Sequence, residues 1–448
     1  MHSSATQILL LGILLVLSLA TGCTGEDVVP AATVEASEYV SPQDDATATV
    51  AYPAPPTEEP ERPATAYPAA PRATPSPTSQ LRSTRPTAEA TMASYLPIVG
   101  NGGGYPGPLA TSTPAPQPPA PTPTEVVANE PVPTLDFAAL EEELAQQNQA
   151  LAYSKIGFHV TFMEEKGMLD EWMQRQDAAG VPFYLKTVDN AEPLYKAQQL
   201  REASGVPHTL VFRATGGVPD YDLPPEQAAL EHWTFHRDKF PPELDPSVVW
   251  VETVNEVDKN RSEWLAEFAL ETARLAMADG FKWAAFGWAP GEPEPEHWEL
   301  PAMLEFLRLA GENPDRLAIA VHEGSLAAED IKALYPYRLG RFLQLFEITD
   351  RHGIPRPTVL ITEWGWEYDN IPDIDKAMQD IRWAASLYAP FPQVKGAAIW
   401  NLGTGCCFGD VSEEVRGLID PLLAFNLSAY FTAPQTPDKA STDPALYE

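Results

Sequence analysis

The sequence predicts a (β/α)₈ barrel, also called a TIM barrel, between residues 135 and 448. After residue 150, eight short apolar strands alternate with amphipathic stretches, and their starts lie 26 to 42 residues apart, which leaves room for a helix each time. Polar or aromatic residues stand where the strands end. A doubly wound sheet is the alternative, but Phe158-His159-Val160 at the end of the first strand is no glycine-rich phosphate loop.

The first 22 residues are predicted to be a signal peptide. Ile8 to Leu19 form an apolar run of the required length, and the Ala20-Thr21-Gly22-Cys23 stretch that follows resembles the lipobox of bacterial lipoproteins. This resemblance implies cleavage before Cys23, lipidation of its sulfur, and a protein anchored to the outer face of the bacterial cell membrane. An ordinary signal peptide is the alternative, since no Lys or Arg precedes the apolar run.

Residues 23–134 are predicted to form a disordered linker rich in Pro, Thr and Ala. The stretch from Thr24 to Thr134 holds 23 of the 47 prolines and few large apolar residues. Such a composition cannot bury enough apolar surface to offset the entropy lost on ordering. The linker would hold the barrel away from the membrane, and a helix predicted from Asp136 to Leu151 would lead into it.

The eight strands are predicted from runs of β-branched, aromatic and other apolar residues. They are Lys155 to Val160, Pro182 to Thr187, His208 to Arg213, Val248 to Val254, Lys282 to Gly287, Arg316 to His322, Thr358 to Glu363 and Val394 to Trp400. Between them, Glu263 to Asp279 is typical of the helices, because its apolar positions recur every three or four residues and Gly280 follows as a stop.

The charge of the chain restricts its partners. The formal net charge is −34 and the pI is about 4.5. Binding to nucleic acid needs clustered Lys and Arg, so the composition argues against it. We expect a carbohydrate partner, a monomeric protein, contact with the membrane only through the lipid anchor, and no cofactor.

Two strands of the predicted barrel end in glutamates. The run that ends at Val254 delivers Asn255 and Glu256, and the run from Thr358 to Thr362 delivers Glu363. Functional groups of (β/α)₈ barrels lie at the carboxyl ends of the strands. Cleavage of a glycosidic bond uses two carboxyl groups there, one protonated beside the leaving oxygen and one ionised beside the anomeric carbon. The pair therefore predicts a glycosidase.

The sequence around these glutamates resembles the retaining (β/α)₈-barrel glycoside hydrolases of clan A. Trp250 to Glu256, WVETVNE, is similar to the clan's strand-four motif aromatic-x-Glu-x-x-Asn-Glu. Thr362 to Gly365, TEWG, is similar to its strand-seven motif Thr-Glu-aromatic-Gly. Two departures stand beside the match: Val257 replaces the usual Pro, and Gly324 stands where the strand-six motif commonly has Tyr.

The resemblance implies roles for six residues. Glu256 would be the general acid/base and Glu363 the nucleophile of a double displacement that cleaves an oligo- or polysaccharide. Asn255 would bind the sugar 2-hydroxyl and Trp400 would form the floor of the sugar site. Weaker matches are Arg213, an ion partner of the nucleophile, and His322, a hydrogen-bonding group. A barrel that binds carbohydrate without cleaving it remains the alternative function.

Other polar residues at the strand ends leave alternatives open. Glu252 lies on the same strand face as Glu256 and is either the acid itself or a buried partner of Arg213. Glu323 is either a substrate contact or a solvated charge. His232 and His236 have the i, i+4 spacing of a zinc pair but lack a third ligand. We therefore expect no metal, and a rim position for both histidines.

The remaining candidates are aromatic residues, a histidine and two cysteines. His159, Trp288 and Trp364 are expected to contact sugars. The predicted opening also has the aromatic residues Trp288, Trp364, Trp366, Tyr221 and Trp233, of which some would belong to the core and those that stay exposed would stack on sugars. Cys406 and Cys407 are adjacent in the loop after the last strand. In an exported protein they are predicted to form a vicinal disulfide, and two free thiols or a bond to another chain are the alternatives.

Overall fold

The computed structural model describes residues 134–163, 166–325, 331–366, 371–403, 409–436 and 440–447. Within these ranges, eight parallel strands form a closed barrel in chain order, β2 to β9, so the predicted fold class is confirmed. The strands are β2 Ile156–Val160, β3 Tyr184–Val188, β4 Thr209–Arg213, β5 Trp250–Glu252, β6 Lys282–Trp288, β7 Leu317–Gly324, β8 Thr358–Gly365 and β9 Val394–Leu402. Pairing of β2 with β9 closes the barrel.

Helices follow the strands and cover the outside of the barrel. They are α1 Phe137–Gln146, α2 Gly167–Ala178, α3 Glu192–Ser204, α4 Pro225–Lys239, α5 Ser262–Ala278, α6 Pro295–Trp298, α7 Pro301–Glu312, α8 Arg341–Arg351, α9 Ile374–Tyr388, α10 Gly409–Arg416 and α11 Ile419–Ser428. Among the described residues, no helix is both long enough and apolar enough to cross a membrane.

Most predicted bounds are off by one or two residues, and two elements differ in ways that have a local structural cause. The helix expected to reach Leu151 ends at Gln146, because Asn148 takes a left-handed φ of 60°. The chain then forms β1, Gln149–Ala152, which pairs antiparallel with β10, Phe431–Pro434. The fourth predicted strand is shortened to β5, because the N–H groups of residues 248 and 249 bond back to Asp245 in a turn.

The barrel interior contains an apolar layer and, above it, a polar layer. The apolar layer consists of Tyr184, Val211, Trp250, Ala284, Ala318, Ala320, Leu360 and Ala398. Side chains on a strand alternate between its faces, so residues two positions further along point inward as well. On four strands these residues are Lys186, Arg213, Glu252 and His322. Strand alternation therefore places charged groups at the carboxyl end of the barrel, directly above a filled floor.

Candidate active site

A cavity of about 720 Å³ opens at the carboxyl ends of the barrel strands. It is lined by both predicted catalytic glutamates, Glu256 and Glu363, and by Asn255 and His322. The rest of its lining comes from Pro290, Glu323, Gly324, Ser325, Arg338, Trp364, Gly365, Trp366 and Trp400. We call this the active-site cavity.

Glu363 lies near the end of β8, with 19% of its side chain exposed. Its Oε1 lies 3.3 Å from both Lys186 Nζ and Arg213 Nη1, and its Oε2 lies 3.6 Å from His322 Nδ1. Burial favours the neutral acid, but the charges of His322, Lys186, His159 and Arg213 outweigh it and lower the pKa of Glu363 far below its usual value. The carboxylate is therefore ionised at neutral pH.

Glu256 follows β5 at a point where the backbone turns. It takes a φ of 49°, its N–H donates to the carbonyl of Gly287 over 2.7 Å, and 51% of its side chain is exposed. Gly287 itself has a φ of 56°, and a Cβ there would lie 2.8 Å from the carbonyl oxygen of Val254. A glycine on β6 therefore allows the close approach that holds the Glu256 backbone beside the barrel opening.

His322 brings the two glutamates together. Its Nδ1 lies 3.5 Å from Oε1 of Glu256 and 3.6 Å from Oε2 of Glu363. Burial lowers the pKa of His322, but Glu363 and hydrogen bonds to Glu252 and Glu256 raise it above its usual value overall. Two residues distant in sequence thus meet at one nitrogen, and the two carboxylates face the same cavity.

The floor of the site contains a buried ion pair. Glu252 is fully buried, its Oε2 lies 2.6 Å from Lys186 Nζ, and its Oε1 accepts a hydrogen bond from the Thr362 hydroxyl over 2.6 Å. Arg213 is farther from this carboxylate, at 3.9 Å. Glu252 does not line the active-site cavity. Of the two interpretations of Glu252, the structure favours a buried ion partner, chiefly of Lys186, over the acid.

Sequence reasoning missed Lys186. It lies inside the predicted second strand between Leu185 and Thr187, and all three residues are fully buried. The signal was present, because a charged residue in the middle of a strand that is buried on both faces needs a partner of opposite charge. The residues predicted to be functional lie at the strand ends, and Lys186 is not among them.

Asn255 and Trp400 lie where a sugar would bind. Asn255 is exposed, and its Oδ1 accepts a hydrogen bond from Arg213 Nη1. Trp400 is partly exposed and lines the active-site cavity from β9. His159 is buried, and its Nε2 lies 3.9 Å from Oε1 of Glu363. His159 therefore contacts Glu363 in place of the sugar that the sequence predicted.

No family model matches the chain, and no curated protein matches its sequence. Among solved structures, the chain is similar to XacCel5A, with 14% identity, coverage of 57% of this chain and 90% of that chain, and a TM-score of 0.32. It is also similar to the YdjI aldolase from Escherichia coli K12, with 11% identity, coverage of 64% and 94%, and a TM-score of 0.31. A truncated 3-deoxy-D-arabino-heptulosonate 7-phosphate synthase from Thermotoga maritima has 11% identity, coverage of 60% and 88%, and a TM-score of 0.27. These likenesses concern the fold.

Several predicted aromatic contacts are wrong. Trp288 is fully buried and packs on Phe286 and Trp298 on the helix side of β6, because the strand register shifts between residues 286 and 288. Trp233 is buried on α4 and donates to Asp279. Neither reaches a sugar. Trp364 and Trp366 line the active-site cavity but are almost fully buried, so they shape its wall.

Glu323 lines the active-site cavity but is not the solvated charge that was one of the two roles considered for it. Its side chain is buried and accepts the N–H groups of Gly340 and Arg341, each over 2.9 Å, and the Tyr388 hydroxyl over 2.6 Å. These are N–H groups at the start of α8, which have no partner inside the helix. Glu323 therefore caps α8 and links it to α9.

His232 and His236 lie buried on α4 beneath the loop that follows β4, and not on the rim. Nδ1 of His232 lies 2.5 Å from the carbonyl oxygen of Gly217. Among the described residues, no group of three or more His, Cys, Asp or Glu is arranged to hold a metal ion. Cys23, Cys406 and Cys407 lie outside the described residues.

The histidine pair predicts a loss of stability in acid. Burial lowers the pKa of His232 to about 3 and that of His236 to about 4, against about 6.5 in an unfolded chain. In the folded protein both imidazoles stay neutral at pH values at which they bind a proton in the unfolded chain. The free energy of unfolding therefore has its full value above about pH 6.5 and falls as the pH drops towards 4.

Thermal unfolding measured between about pH 7 and pH 4.5 checks this expectation. The double variant His232→Gln/His236→Gln should lose less stability over that range than the wild type. A remainder is expected from His208, because burial lowers its pKa to about 4 as well. Equal losses of stability in the wild type and in the double variant would contradict the assignment of the acid sensitivity to His232 and His236.

Proposed function

We propose that the protein is a retaining glycoside hydrolase that cleaves an oligo- or polysaccharide by double displacement. The observation that carries this proposal is the meeting of Glu256 and Glu363 at one nitrogen of His322, inside an open cavity. Retaining enzymes place their carboxyl groups about 5–5.5 Å apart, closer than the roughly 6.5–9.5 Å of inverting enzymes. The shared contact with His322 keeps the two nearest carboxylate oxygens within about 7 Å of each other, which admits the shorter spacing.

The two glutamates differ in the way the reaction requires. Glu363 is ionised and nearly enclosed, so its carboxylate attacks the anomeric carbon as the bond from that carbon to the leaving oxygen breaks. Glu256 gives its proton to the leaving oxygen. In the second step Glu256 takes a proton from water, the water oxygen bonds to the anomeric carbon, and Glu363 is released. The half-exposed position of Glu256 gives it access to both the leaving group and the incoming water.

The neighbours of the glutamates support the same assignment. Because Oδ1 of Asn255 accepts from Arg213, its amide group is left to donate to a sugar hydroxyl. His322 lies between the carboxylates and exchanges hydrogen-bond partners as their charges change. The partly exposed Trp400 presents an indole at the wall of the cavity, where it would pack on a pyranose face.

A second cavity of about 430 Å³ supports a substrate longer than one sugar. It shares Asn255 and Glu256 with the active-site cavity and extends beneath the loop after β4, where Tyr221 and Val218 line it. Glu256 therefore has open space on two sides. A glycone on the side of Glu363 and a leaving sugar in the second cavity would place the scissile oxygen beside Glu256.

The proposal includes an exported location. The apolar run from Ile8 to Leu19 and the lipobox-like residues before Cys23 support a lipoprotein. The proline-rich stretch from Thr24 to Thr134 would then separate the hydrolase from the membrane surface and allow it to reach an extended polymer.

Incubation with aryl glycosides and neutral polysaccharides tests the function. NMR of the product formed first should show the anomeric configuration of the substrate, because two inversions restore it. The double variant Glu256→Gln/Glu363→Gln is the inactive control and should still bind the substrate. An inverted first product would contradict the double displacement. Binding of glycans by the wild type without turnover would favour the alternative, a carbohydrate-binding barrel.

A further inference from the structure

Lys186 is a charged residue with no solvent exposure in the middle of β3. Its ammonium group lies 2.6 Å from Oε2 of Glu252 and 3.3 Å from Oε1 of Glu363. Burying a lysine is unfavourable unless its charge is paired. The position is thus explained by its partners, one on the floor of the site and the other at its reacting edge.

The contacts of Glu363 divide between its two oxygens. Lys186 and Arg213 both approach Oε1, whereas Oε2 faces Nδ1 of His322, which also contacts Glu256. Oε2 is therefore the oxygen that Lys186 and Arg213 leave uncovered, and it lies beside the His322 nitrogen that Glu256 also contacts. An attack through Oε2 places the new bond on the side where the leaving group receives its proton.

We propose that Lys186 is a positioning residue, which binds Oε1 of Glu363, keeps the carboxylate ionised and leaves Oε2 as the oxygen that attacks the anomeric carbon. This inference rests on the proposed function. Glu252 fixes the position of Lys186, since its other oxygen is held by the Thr362 hydroxyl. Lys186 thus lies three strands away from Glu363 around the barrel and acts on the reaction only through it.

Within the part of the chain that the structure describes, six charged or titratable groups surround Glu363 and form one unit. They are His159 from β2, Lys186 from β3, Arg213 from β4, Glu252 from β5, Glu256 after β5 and His322 from β7. Without Lys186, two buried carboxylates would face each other across the barrel, and Arg213 would be the closest cation to Glu363. The like charges would then favour protonation of Glu363. Lys186 prevents this. Burial and the charge of Arg213 lower the pKa of Lys186, and both carboxylates act against that lowering.

The variants Lys186→Met and Lys186→Met/Glu252→Gln test the inference. The double variant removes the carboxylate that the single one leaves unpaired, so it keeps the experiment informative if the single variant does not fold. In the folded variants, kcat should fall about 10²-fold with little change in KM. The acidic limb of the pH profile should move up by about 1–3 pH units in Lys186→Met, and by less in the double variant, which also removes the like charge of Glu252. Lys186→Arg, which keeps the charge, should restore part of both.

Lys282→Met is the matched control. Lys282 begins β6 at the opposite end of the barrel, and its ammonium group lies 4.7 Å from the ring centroid of Trp250. This variant also removes a lysine from a barrel strand, but it should leave kcat and the acidic limb unchanged.

A second readout needs no substrate. NMR of ¹³C-carboxyl-labelled glutamates, with the Glu363 signal assigned through Glu363→Gln, reports the titration of that carboxyl group. We expect it to occur at higher pH in the folded Lys186 variants than in the wild type or in Lys282→Met. A titration at the wild-type pH would overturn the inference, even in an active hydrolase. Failure of the wild type to hydrolyse any substrate would overturn the proposed function instead, and the two outcomes are therefore distinct.

Discussion

The variant Glu363→Ala should lose hydrolysis by a factor on the order of 10⁴–10⁶, because it removes the proposed nucleophile and leaves only substrate positioning. Sodium azide should restore turnover, since the small anion fits the space of the lost carboxylate. The product would be a glycosyl azide of inverted configuration. Lys186, Arg213 and His322 surround this space and favour an anion in it. Initial rates on an aryl glycoside, with and without azide, measure the effect.

Glu363→Gln is the matched control for the rescue. Its amide fills the space that alanine opens, so activity should be lost without rescue by azide. A variant Glu363→Ala that keeps more than about a hundredth of the wild-type rate would exclude this residue as the nucleophile.

The variant Glu256→Ala should show a loss that depends on the leaving group. For sugars and other poor leaving groups, kcat/KM should fall about 10²–10⁴-fold, because the departing oxygen then receives no proton. A dinitrophenyl glycoside needs no such proton in the first step, so its kcat/KM should change little. Azide should now intercept the glycosyl-enzyme and give a glycosyl azide of retained configuration. Rates across a series of aryl leaving groups measure this dependence.

Glu296→Ala provides the control for Glu256. Glu296 is an exposed carboxylate on the rim, in α6, and lines neither cavity. Its loss changes the charge of the opening by the same amount and should leave all rates unaltered. Equal losses for good and poor leaving groups in Glu256→Ala would contradict the acid role.

The barrel could be predicted because each of its strands is an apolar run that ends at a polar residue. All eight were found. The fourth was predicted two residues too long at each end, and Asp245 draws its first two residues into a turn. The positions of Glu256 and Glu363 followed from the rule that parallel strands present their carboxyl ends together. Their approach to a common histidine depends on how far each strand is shifted along its neighbour, which no local pattern specifies.

The errors at the site have physical causes as well. Trp288 was placed at the opening by counting along β6, but the register shift before it turns the indole towards the helices. For Glu323 the sequence offers a substrate contact or a solvated charge and misses its place at a helix start, because a sequence does not show which helix begins beside it. Lys186 was overlooked because its partners lie 66 and 177 residues away. Which buried charges pair with each other is decided only when the barrel closes, and a local sequence pattern does not show it.

The hydrogen bond from the N–H of Glu256 to Gly287 bears on how the protein would complete a reaction cycle. The main chain of Glu256 is hydrogen-bonded to the adjacent strand, and Glu363 is itself part of a strand. Exchange of a departing sugar for water then requires rotation about the side-chain bonds of Glu256 alone. Among the described residues, the main chain that carries both carboxyl groups would therefore be aligned before a substrate arrives.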